Sequence, residues 1–385
     1  MNKENAVSGN AIPLHAHTAS EVDVTTQSLG HVVRANTKRA SLDEKKANAP
    51  KKRAVLKDIT KEISAKVHVV KHTQYCLLLT LLLENIKQIE KVASSDVSTV
   101  ASILQVIDID SDNKDPLLCS LYAPEIYYNL RVAELQRRPF PDYMERIQRD
   151  LTHTMRGILV DWLVEVSEEY KLVPDTLYLT VYLIDWFLHG NYIERQRLQL
   201  LGVTCMFIAS KYEEKFVPRI EEFCFITDNT FIKDQVLEME RQVLMHFSFQ
   251  IYTPTSKTFL RRFLRAAHAS DMQKPSVEIE FLANYLMELT LIDYKFLKFL
   301  PSVIAASAVF LAKWTLNQSS HPWNPTLEHY TTLKASDLKA SVHALQDLQL
   351  NTKGCTLASI RMKYKQEKFK SVGVLSSPEI PDGLF

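Results

Sequence analysis

The spacing of apolar side chains in the second part of the chain predicts a series of helices. In 155–170 apolar residues recur with a period of 3.6 and form one wide helical face. The stretch 197–212 is apolar on nearly every side, as expected of a helix that other helices surround. Asp175 is the predicted N-cap of the helix over 176–188, and Gly190 is the predicted C-terminal end of that helix. The other predicted helical segments are 116–137, 176–188, 219–226 and 231–247.

Two consecutive segments of this pattern recur about a hundred residues later. VTCMFIASKY at 203–212 aligns with AASAVFLAKW at 305–314, an offset of 102 residues. YLIDWFL at 182–188 aligns with YLMELTL at 285–291, an offset of 103. A shared register over two elements predicts a duplicated all-helical domain, with chance similarity between apolar helices as the alternative.

Residues 1–115 have a different texture, polar and without sustained periodicity, which predicts a largely disordered tail. Ten Lys or Arg residues and three Asp or Glu residues lie between positions 34 and 61. The candidate nuclear-import cluster is Lys51, Lys52 and Arg53. A solvated basic tail is the alternative interpretation. The apolar run at 76–86 does not fit a plain polar tail. It is either a helix that docks on the body or an aberrant insertion.

The amino-acid composition excludes some kinds of binding site. The 385 residues include only 8 glycines and no GxGxxG or Walker pattern. Loops that bind nucleotide phosphates need closely spaced glycines, so the chain is not expected to bind a nucleotide by itself. The net charge of +1 gives no overall attraction to nucleic acids or anionic membranes.

Cysteine usage and hydropathy indicate where such a chain works. Its five cysteines form no CxxC pair, which disfavours a zinc ribbon and favours reduced intracellular thiols. The first thirty residues show no secretory pattern. The most apolar run, 76–83, has eight residues, against the ~20 needed to cross a bilayer. A soluble intracellular protein without a metal or cofactor is therefore expected.

No catalytic constellation is visible, but four charged residues interrupt apolar helices. They are Arg156, Asp185, Lys211 and Glu240. Because buried ions are costly unless they are paired, one interpretation is that Arg156 pairs with Asp185, which leaves the other two for a partner or for solvent. The alternative is that all four are surface or helix-end charges.

Four segments resemble the A-type cyclins in order and spacing. MRGILVDWLVEV at 155–166 and RLQLLGVTCMFIASKYEE at 197–214 look like the first cyclin box of a mitotic cyclin. FLRRFLRAA at 259–267 and CTLASIRMKYKQEKFKSV at 355–372 resemble the plant A3 group most. The resemblance implies an all-α fold of two tandem five-helix boxes behind the disordered tail. The implied boundaries are 1–115 for the tail, 116–250 and 251–370 for the boxes, and 371–385 for a C-terminal tail.

The implied function is that of a non-catalytic regulatory subunit. A cyclin binds a cyclin-dependent kinase, sets its C-helix and activation loop in the active arrangement, and recruits substrates from S phase to G2/M. A transcription-associated cyclin-box protein is the alternative from another class. Neither a membrane nor direct contact with nucleic acid is expected.

The resemblance also assigns residues. Lys211 and Glu240 match the pair that hydrogen-bonds the kinase C-helix backbone, while Ile208, Tyr212 and Phe249 match its apolar contacts. Arg156 and Asp185 match an internal salt bridge. The residues that match the docking patch for Arg-x-Leu substrates and inhibitors are Met155, Ile158, Leu159, Trp162, Glu165, Arg195, Leu198 and Gln199. Gly157 replaces the alanine more usual in this motif.

The tail carries candidate degradation signals for the anaphase-promoting ubiquitin ligase. Lys3, Glu4 and Asn5 spell a KEN box, and 53–56 has the RxxL core of a destruction box, with Arg53 and Leu56 at its ends. The family's destruction box ends in Asn, where this chain has Lys61. Together with the basic cluster, these signals imply a nuclear and cytoplasmic protein of limited lifetime.

Overall fold

The computed structural model describes residues 106–111, 115–270, 276–351 and 357–385. Regular structure in these ranges is helical, and no strand occurs in them. Two leading helices precede the first repeat: α1, Ala123–Ala133, and α2, Tyr143–Ile147. The sequence signals before residue 106, including the helix predicted at 76–86, lie outside the described residues.

The first box consists of five helices. They are α3 (His153–Glu169), α4 (Pro174–Gly190), α5 (Leu198–Glu213), α6 (Ile220–Phe225) and α7 (Lys233–His246). The central helix α5 has almost every residue from 198 to 210 buried, which confirms that it is enclosed by its neighbours. Gly202 gives room to Leu159 of α3, because a Cβ there would lie 2.7 Å from Leu159 Cδ1 and would force that side chain to shift.

The second box repeats this order. Its helices are α8 (Ser256–Ser270), α9 (Val277–Ile292), α10 (Pro301–Leu316), α11 (Pro325–Thr331) and α12 (Ala335–Leu350). A further helix, α13 (Ser359–Tyr364), follows. The two aligned segments of the sequence lie on corresponding helices, α4 with α9 and α5 with α10. The all-α fold of two five-helix repeats is therefore confirmed, and α10 is as thoroughly buried as α5.

Two local predictions were wrong. The single opening helix over 116–137 is a short 3-10 turn, Pro116–Leu118, followed by α1. Cys119 separates them with a φ of 46°, outside the right-handed helical region. Asp175 does not cap α4, since the helix begins at Pro174 with Val173 in the cap position; proline is favoured at a first helical position because it has no N–H to satisfy.

The segments on either side of the boxes pack against the second one. Asp110 forms a two-pronged ion pair with Arg262 of α8, at 2.9 and 2.6 Å. Beyond α13, residues 371–385 carry two 3-10 turns, Val372–Val374 and Asp382–Leu384. Val372 and Ile380 are buried. The stretch expected to be a C-terminal tail is thus packed on the second box in the structure.

No helix of the described ranges combines the length and the apolar character needed to cross a membrane. Within the same ranges, no group of three or more His, Cys, Asp or Glu side chains is arranged to hold a metal ion.

Candidate functional site

The end of α5 and the middle of α7 bring two of the predicted residues together. Lys211 Nζ lies 2.7 Å from Glu240 Oε1, and the side chains are 45% and 12% exposed. The ammonium group also lies 3.8 Å from the centroid of the Phe207 ring, within cation–π distance. The pair is therefore formed in the free chain and remains open to solvent on one side.

Exposed aromatic residues flank this pair. Tyr212 is 49% exposed and Phe249 is 70% exposed. Ser248 and Phe249 have φ values of 50° and 60°, an uncommon region for residues other than glycine. Ile208, by contrast, is buried in the core of the free chain, so it is not part of the open surface. The resemblance described above assigns Lys211, Tyr212, Glu240 and Phe249 to contact with a kinase, and we call these four residues the kinase-binding surface.

Arg156 and Asp185 lie far from solvent, each 2% exposed at the side chain. Arg156 donates to both carboxylate oxygens, at 2.6 and 2.7 Å. Its remaining nitrogen donates to the carbonyl oxygens of Leu291 and Ile292 on α9, at 2.8 and 3.3 Å. Burial by itself lowers the pKa of Arg156, but the Asp185 carboxylate raises it above its usual value. The ion pair thus joins α3 and α4 and also ties the first box to the second.

A tyrosine that the sequence did not single out completes this network. The Tyr143 hydroxyl donates to Asp185 Oδ1 at 2.8 Å, and its side chain is fully buried. Burial, followed by the neighbouring Asp185 charge, raises the pKa of Tyr143 well above its usual value. Asp185 therefore accepts three hydrogen bonds, which compensates for its removal from water.

The predicted docking patch separates into an open part and a core part. On α3, Ile158 is 52% exposed while Met155 and Trp162 are half-buried. Leu159 and Leu198 are buried and belong to the core. The open part lies on one face of the helix because residues three to four apart are neighbours.

The polar members of the patch lie at its edges. Arg195 is exposed and pairs with Asp150, with Nε 3.2 Å from Oδ1. Gln199 is half-buried at the start of α5. Glu165 is exposed one turn beyond Asp161 on α3.

These two α3 carboxylates bind a residue from beyond the second box. The Ser359 hydroxyl lies 2.8 Å from both Asp161 Oδ2 and Glu165 Oε1. Its backbone N–H donates to Asp161 Oδ1 at 3.0 Å. Burial raises the pKa of Asp161 above its usual value. The helical spacing of Asp161 and Glu165 is visible in the sequence. Ser359 lies almost two hundred positions away, and no sequence pattern connects it to α3.

Gly157 has a packing role in the same region. A Cβ at this position would lie 3.1 Å from Leu357 Cδ1 and 3.6 Å from the Ile292 side chain. The first distance is tighter than usual and the second is an ordinary contact, so the glycine gives room mainly to Leu357 in the chain that leads into α13, at a position where it costs helix propensity.

The comparisons with known proteins agree with this architecture. Residues 125–252 match the family described as cyclin, N-terminal domain, and residues 254–378 match cyclin, C-terminal domain. An X-ray structure of a viral cyclin from herpesvirus saimiri superposes with a TM-score of 0.52 at 21% identity, covering 58% of this chain and 96% of that chain. The chain belongs to the cyclins.

Similar sequences indicate which group of cyclins the chain belongs to. It is 63% identical to Cyclin-A2-4 and 60% identical to Cyclin-A2-3 of Arabidopsis thaliana, with 100% of each chain covered. It is also 49% identical to Cyclin-A1-1 of Arabidopsis thaliana over 84% of this chain and 70% of that protein. The chain is an A-type cyclin, a regulator of cell-cycle kinases, and the transcription-associated alternative is not favoured. The narrower A3 prediction is not confirmed by these A2 and A1 relatives.

Proposed function

We propose that this A-type cyclin binds and activates a cyclin-dependent kinase through the kinase-binding surface, without catalysing a reaction itself. The preformed Lys211–Glu240 pair is the observation that carries the proposal. It offers an ammonium donor and a carboxylate acceptor side by side, which suits the backbone at a helix end, where N–H groups at the N-terminus or carbonyl groups at the C-terminus lack partners within the helix. Exposed Tyr212 and Phe249 provide apolar area beside it.

The preformed geometry also favours tight binding. Because Lys211 and Glu240 already contact each other at 2.7 Å, little side-chain freedom remains to be lost on association. A hydrogen bond to a charged group contributes about 1.5–3 kcal/mol. Loss of one such contact is therefore expected to weaken kinase binding by roughly one to two decades.

The test is stimulation of a cell-cycle kinase by the purified chain, measured as histone phosphorylation, together with pull-down of the kinase. Lys211→Ala and Glu240→Ala should both weaken binding and activation. Lys233→Ala and Glu221→Ala provide the matched control, because that pair on the same box has a similar separation of 3.0 Å and exposed partners. Unchanged binding in the first two variants, or equal loss in the control pair, would contradict the proposal.

The same reasoning assigns substrate recruitment to the open part of the docking patch. Met155, Ile158 and Trp162 offer apolar contacts, and Glu165 offers a carboxylate for the arginine of an Arg-x-Leu peptide. Trp162→Ala should raise KM for substrates with this motif and leave kinase binding intact. An equal rise in KM for substrates without the motif would show that the variant acts through the fold.

The N-terminal signals are proposals of sequence alone. Replacement of Lys3, Glu4 and Asn5 by alanine, or of Arg53 and Leu56, should lengthen the half-life in extract of dividing cells if the anaphase-promoting ligase reads them. Replacement of Lys51, Lys52 and Arg53 should shift a fluorescent fusion from nucleus to cytoplasm. An unchanged half-life and an unchanged distribution would remove these assignments.

A further inference from the structure

Residues 375–385, which we call the strap, lie across two helices of the second box. Two glutamine side chains of α12 hold its first part. Gln349 Nε2 donates to the Leu375 carbonyl at 3.1 Å, and Gln346 Nε2 donates to the Pro378 carbonyl at 2.6 Å. These contacts use side chains on the helix and the backbone of the strap, so no ladder of backbone hydrogen bonds fixes it.

The later part of the strap packs on aromatic residues. Trp314 Nε1 of α10 donates to the Glu379 carbonyl at 3.2 Å. The Phe385 ring stacks on Phe310 with centroids 5.2 Å apart and planes 10° from parallel. Ile380 is buried. The strap therefore covers the aromatic residues Phe310 and Trp314 of α10 and is bound by polar side chains of α12.

This covered area is the second box's counterpart of the kinase-binding surface. Trp314 aligns with Tyr212 in the duplicated sequence, at the end of the central helix of each box. Tyr212 is 49% exposed, whereas Trp314 is only 8% exposed beneath the strap. The strap also contacts α12, which corresponds to α7 in the order of the box: Lys339 Nζ lies 2.9 Å from Asp382 Oδ1. One box thus leaves this face open, and the other covers it with its own chain.

A serine near the start of the strap has an unusual combination of surroundings and sequence. Ser377 is only 6% exposed, and its hydroxyl donates to Gln349 Oε1 at 2.6 Å. Its backbone N–H donates to the same oxygen at 3.3 Å. Ser377 is followed by Pro378, the dipeptide that proline-directed protein kinases require. The sequence contains one other Ser-Pro or Thr-Pro dipeptide, Thr253–Pro254.

We propose that Ser377 is a phosphorylation site whose modification releases the strap from the second box. In this reaction the Ser377 Oγ attacks the γ-phosphorus of ATP bound to a proline-directed kinase. The bond from that phosphorus to the β,γ-bridging oxygen breaks, ADP leaves, and the hydroxyl proton passes to the base of the kinase. The serine becomes a phosphoester that carries about 1.5 to 2 negative charges at pH 7.

The modified side chain does not fit its former place. The hydroxyl that donated to Gln349 Oε1 has become a group of acceptor oxygens, which would face another acceptor. Burial of an unpaired charge is strongly unfavourable, so the phosphorylated strap is expected to remain in water. Local opening of a segment without unfolding of its domain is common where few hydrogen bonds hold it, and such opening would give the kinase access to Ser377.

A cation bound to the same end of α12 as Gln349 could act in the opposite direction. Arg361 of α13 donates to the carbonyl oxygens of Leu348 and Gln349 at 2.7 and 3.0 Å, and to the Tyr285 hydroxyl at 3.0 Å. These three acceptors already hold the guanidinium group. Transfer of Arg361 to the phosphate would require loss of those bonds and would tighten the strap instead of releasing it.

The experiment treats the full chain with ATP and a proline-directed kinase chosen independently of any cyclin, so that its result does not depend on the proposed kinase-binding surface. Mass spectrometry then maps the phosphate. We expect phosphate on Ser377 in the wild-type chain and none there in Ser377→Ala or Pro378→Ala. The second variant is the sharper control, because it keeps the hydroxyl and the backbone carbonyl that Gln346 binds. Phosphate confined to Thr253 would overturn the proposal.

Hydrogen exchange of the amides in 375–385 measures release. Loss of the two Ser377 hydrogen bonds predicts exchange faster by about tenfold in the phosphorylated chain. Exchange in α3 and α4 should not change. Ser377→Asp provides a measurement without the kinase and should accelerate exchange in the same segment. Unchanged or slower exchange in the phosphorylated chain would overturn release, and the slower result would indicate capture by Arg361.

Discussion

The two boxes each bury an acidic side chain at the same place in the repeat but neutralise it differently. Asp185 on α4 and Glu288 on α9 occupy matching positions of the aligned segments YLIDWFL and YLMELTL. Both are almost completely buried. In each case a cationic side chain and a tyrosine hydroxyl donate hydrogen bonds to the carboxylate. The difference lies in where those two groups come from.

In the first box both partners precede the acid in the chain. Tyr143 comes from α2 and Arg156 from α3. In the second box both partners follow it, on α13. Lys363 Nζ lies 2.8 Å from Glu288 Oε1, and the Tyr364 hydroxyl donates to Oε2 at 2.9 Å.

The repeated fold thus fixes the position of the buried acid, while the cation comes from whichever segment lies beside it. As a consequence, the second box depends on chain beyond its fifth helix. Lys363 also reaches back to Glu168 of α3 at 3.1 Å. Both acid clusters therefore connect the two boxes, one through Arg156 and the other through Lys363.

The largest expected effect comes from removal of these cations. Arg156→Met should lower the free energy of unfolding by about 3–5 kcal/mol, because it leaves Asp185 buried without its base. Lys363→Met should lower it by about 2–3 kcal/mol, because Lys363 makes one bond to its buried acid where Arg156 makes two, and its second partner, Glu168, is one-third exposed. Urea denaturation measures both.

Lys339→Met is the control for this pair of variants. Its partner Asp382 is 81% exposed at the side chain, so this substitution should leave the free energy of unfolding nearly unchanged. Equal losses for Arg156→Met and Lys363→Met would contradict the difference between the boxes.

The next effect concerns the matching aromatic residues at the end of the central helices. Trp314→Ala should cost about 3 kcal/mol of stability, since it removes a buried indole and a hydrogen bond to the strap. Tyr212→Ala, at an exposed position, should change stability by about 0.5 kcal/mol or less. Thermal unfolding and kinase pull-down should therefore give opposite rankings, with only the Tyr212 variant defective in kinase binding. A defect in both assays for both variants would contradict this division.

A smaller effect is expected where the second half of the chain contacts the docking patch. Ser359→Ala removes the hydroxyl that competes for the Glu165 carboxylate. An Arg-x-Leu peptide should then bind more tightly by about three- to tenfold, less than a full hydrogen bond to a charged group would give, because the Ser359 hydroxyl is shared with Asp161. Fluorescence anisotropy with the Arg peptide and with an Ala-x-Leu peptide separates this from a general change. Equal shifts for both peptides would mean that Ser359 only holds α13 in place.

The smallest effect is a pH dependence at the contact between α3 and α13. Burial alone raises the pKa of Glu168, but Lys363 and Lys368 lower it below its ordinary value of 4.5. A carboxylate with a lowered pKa stabilises the fold above its unfolded pKa, and this contribution is lost as the pH falls from about 4.5 through the folded value. Because Glu168 is one-third exposed, the loss should be about 0.5–1 kcal/mol. Urea titrations at pH 7 and pH 3.5 should show that Glu168→Gln removes this part of the pH dependence, and an unchanged slope would refute it.

Sequence reasoning succeeded where a local pattern determines the structure. Apolar periodicity located the helices of the first box, and the repeat at 203–212 and 305–314 located the second. Burial of all sides of α5 followed from its composition alone. These features depend on residues within a few turns of one another, so one segment of sequence contains the information.

It failed where distant segments meet. The residue pattern alone did not pair Lys211 with Glu240, which packing of α7 on α5 places in contact; their contact with a partner stays a prediction. The Ser359 contacts with α3 and the role of Gly157 depend on chain that returns from beyond the second box. No periodicity or spacing within α3 carries that information.

Arg156 binds backbone atoms of the second box, and this determines how much the contact depends on the amino acids there. Its bonds to α9 end on the carbonyl oxygens of Leu291 and Ile292, which every amino acid possesses. Residues 291 and 292 can thus be replaced by other apolar residues without loss of these hydrogen bonds. A chimera that joins this first box to the second box of another cyclin should therefore keep the junction, provided that the backbone at the end of α9 follows the same path.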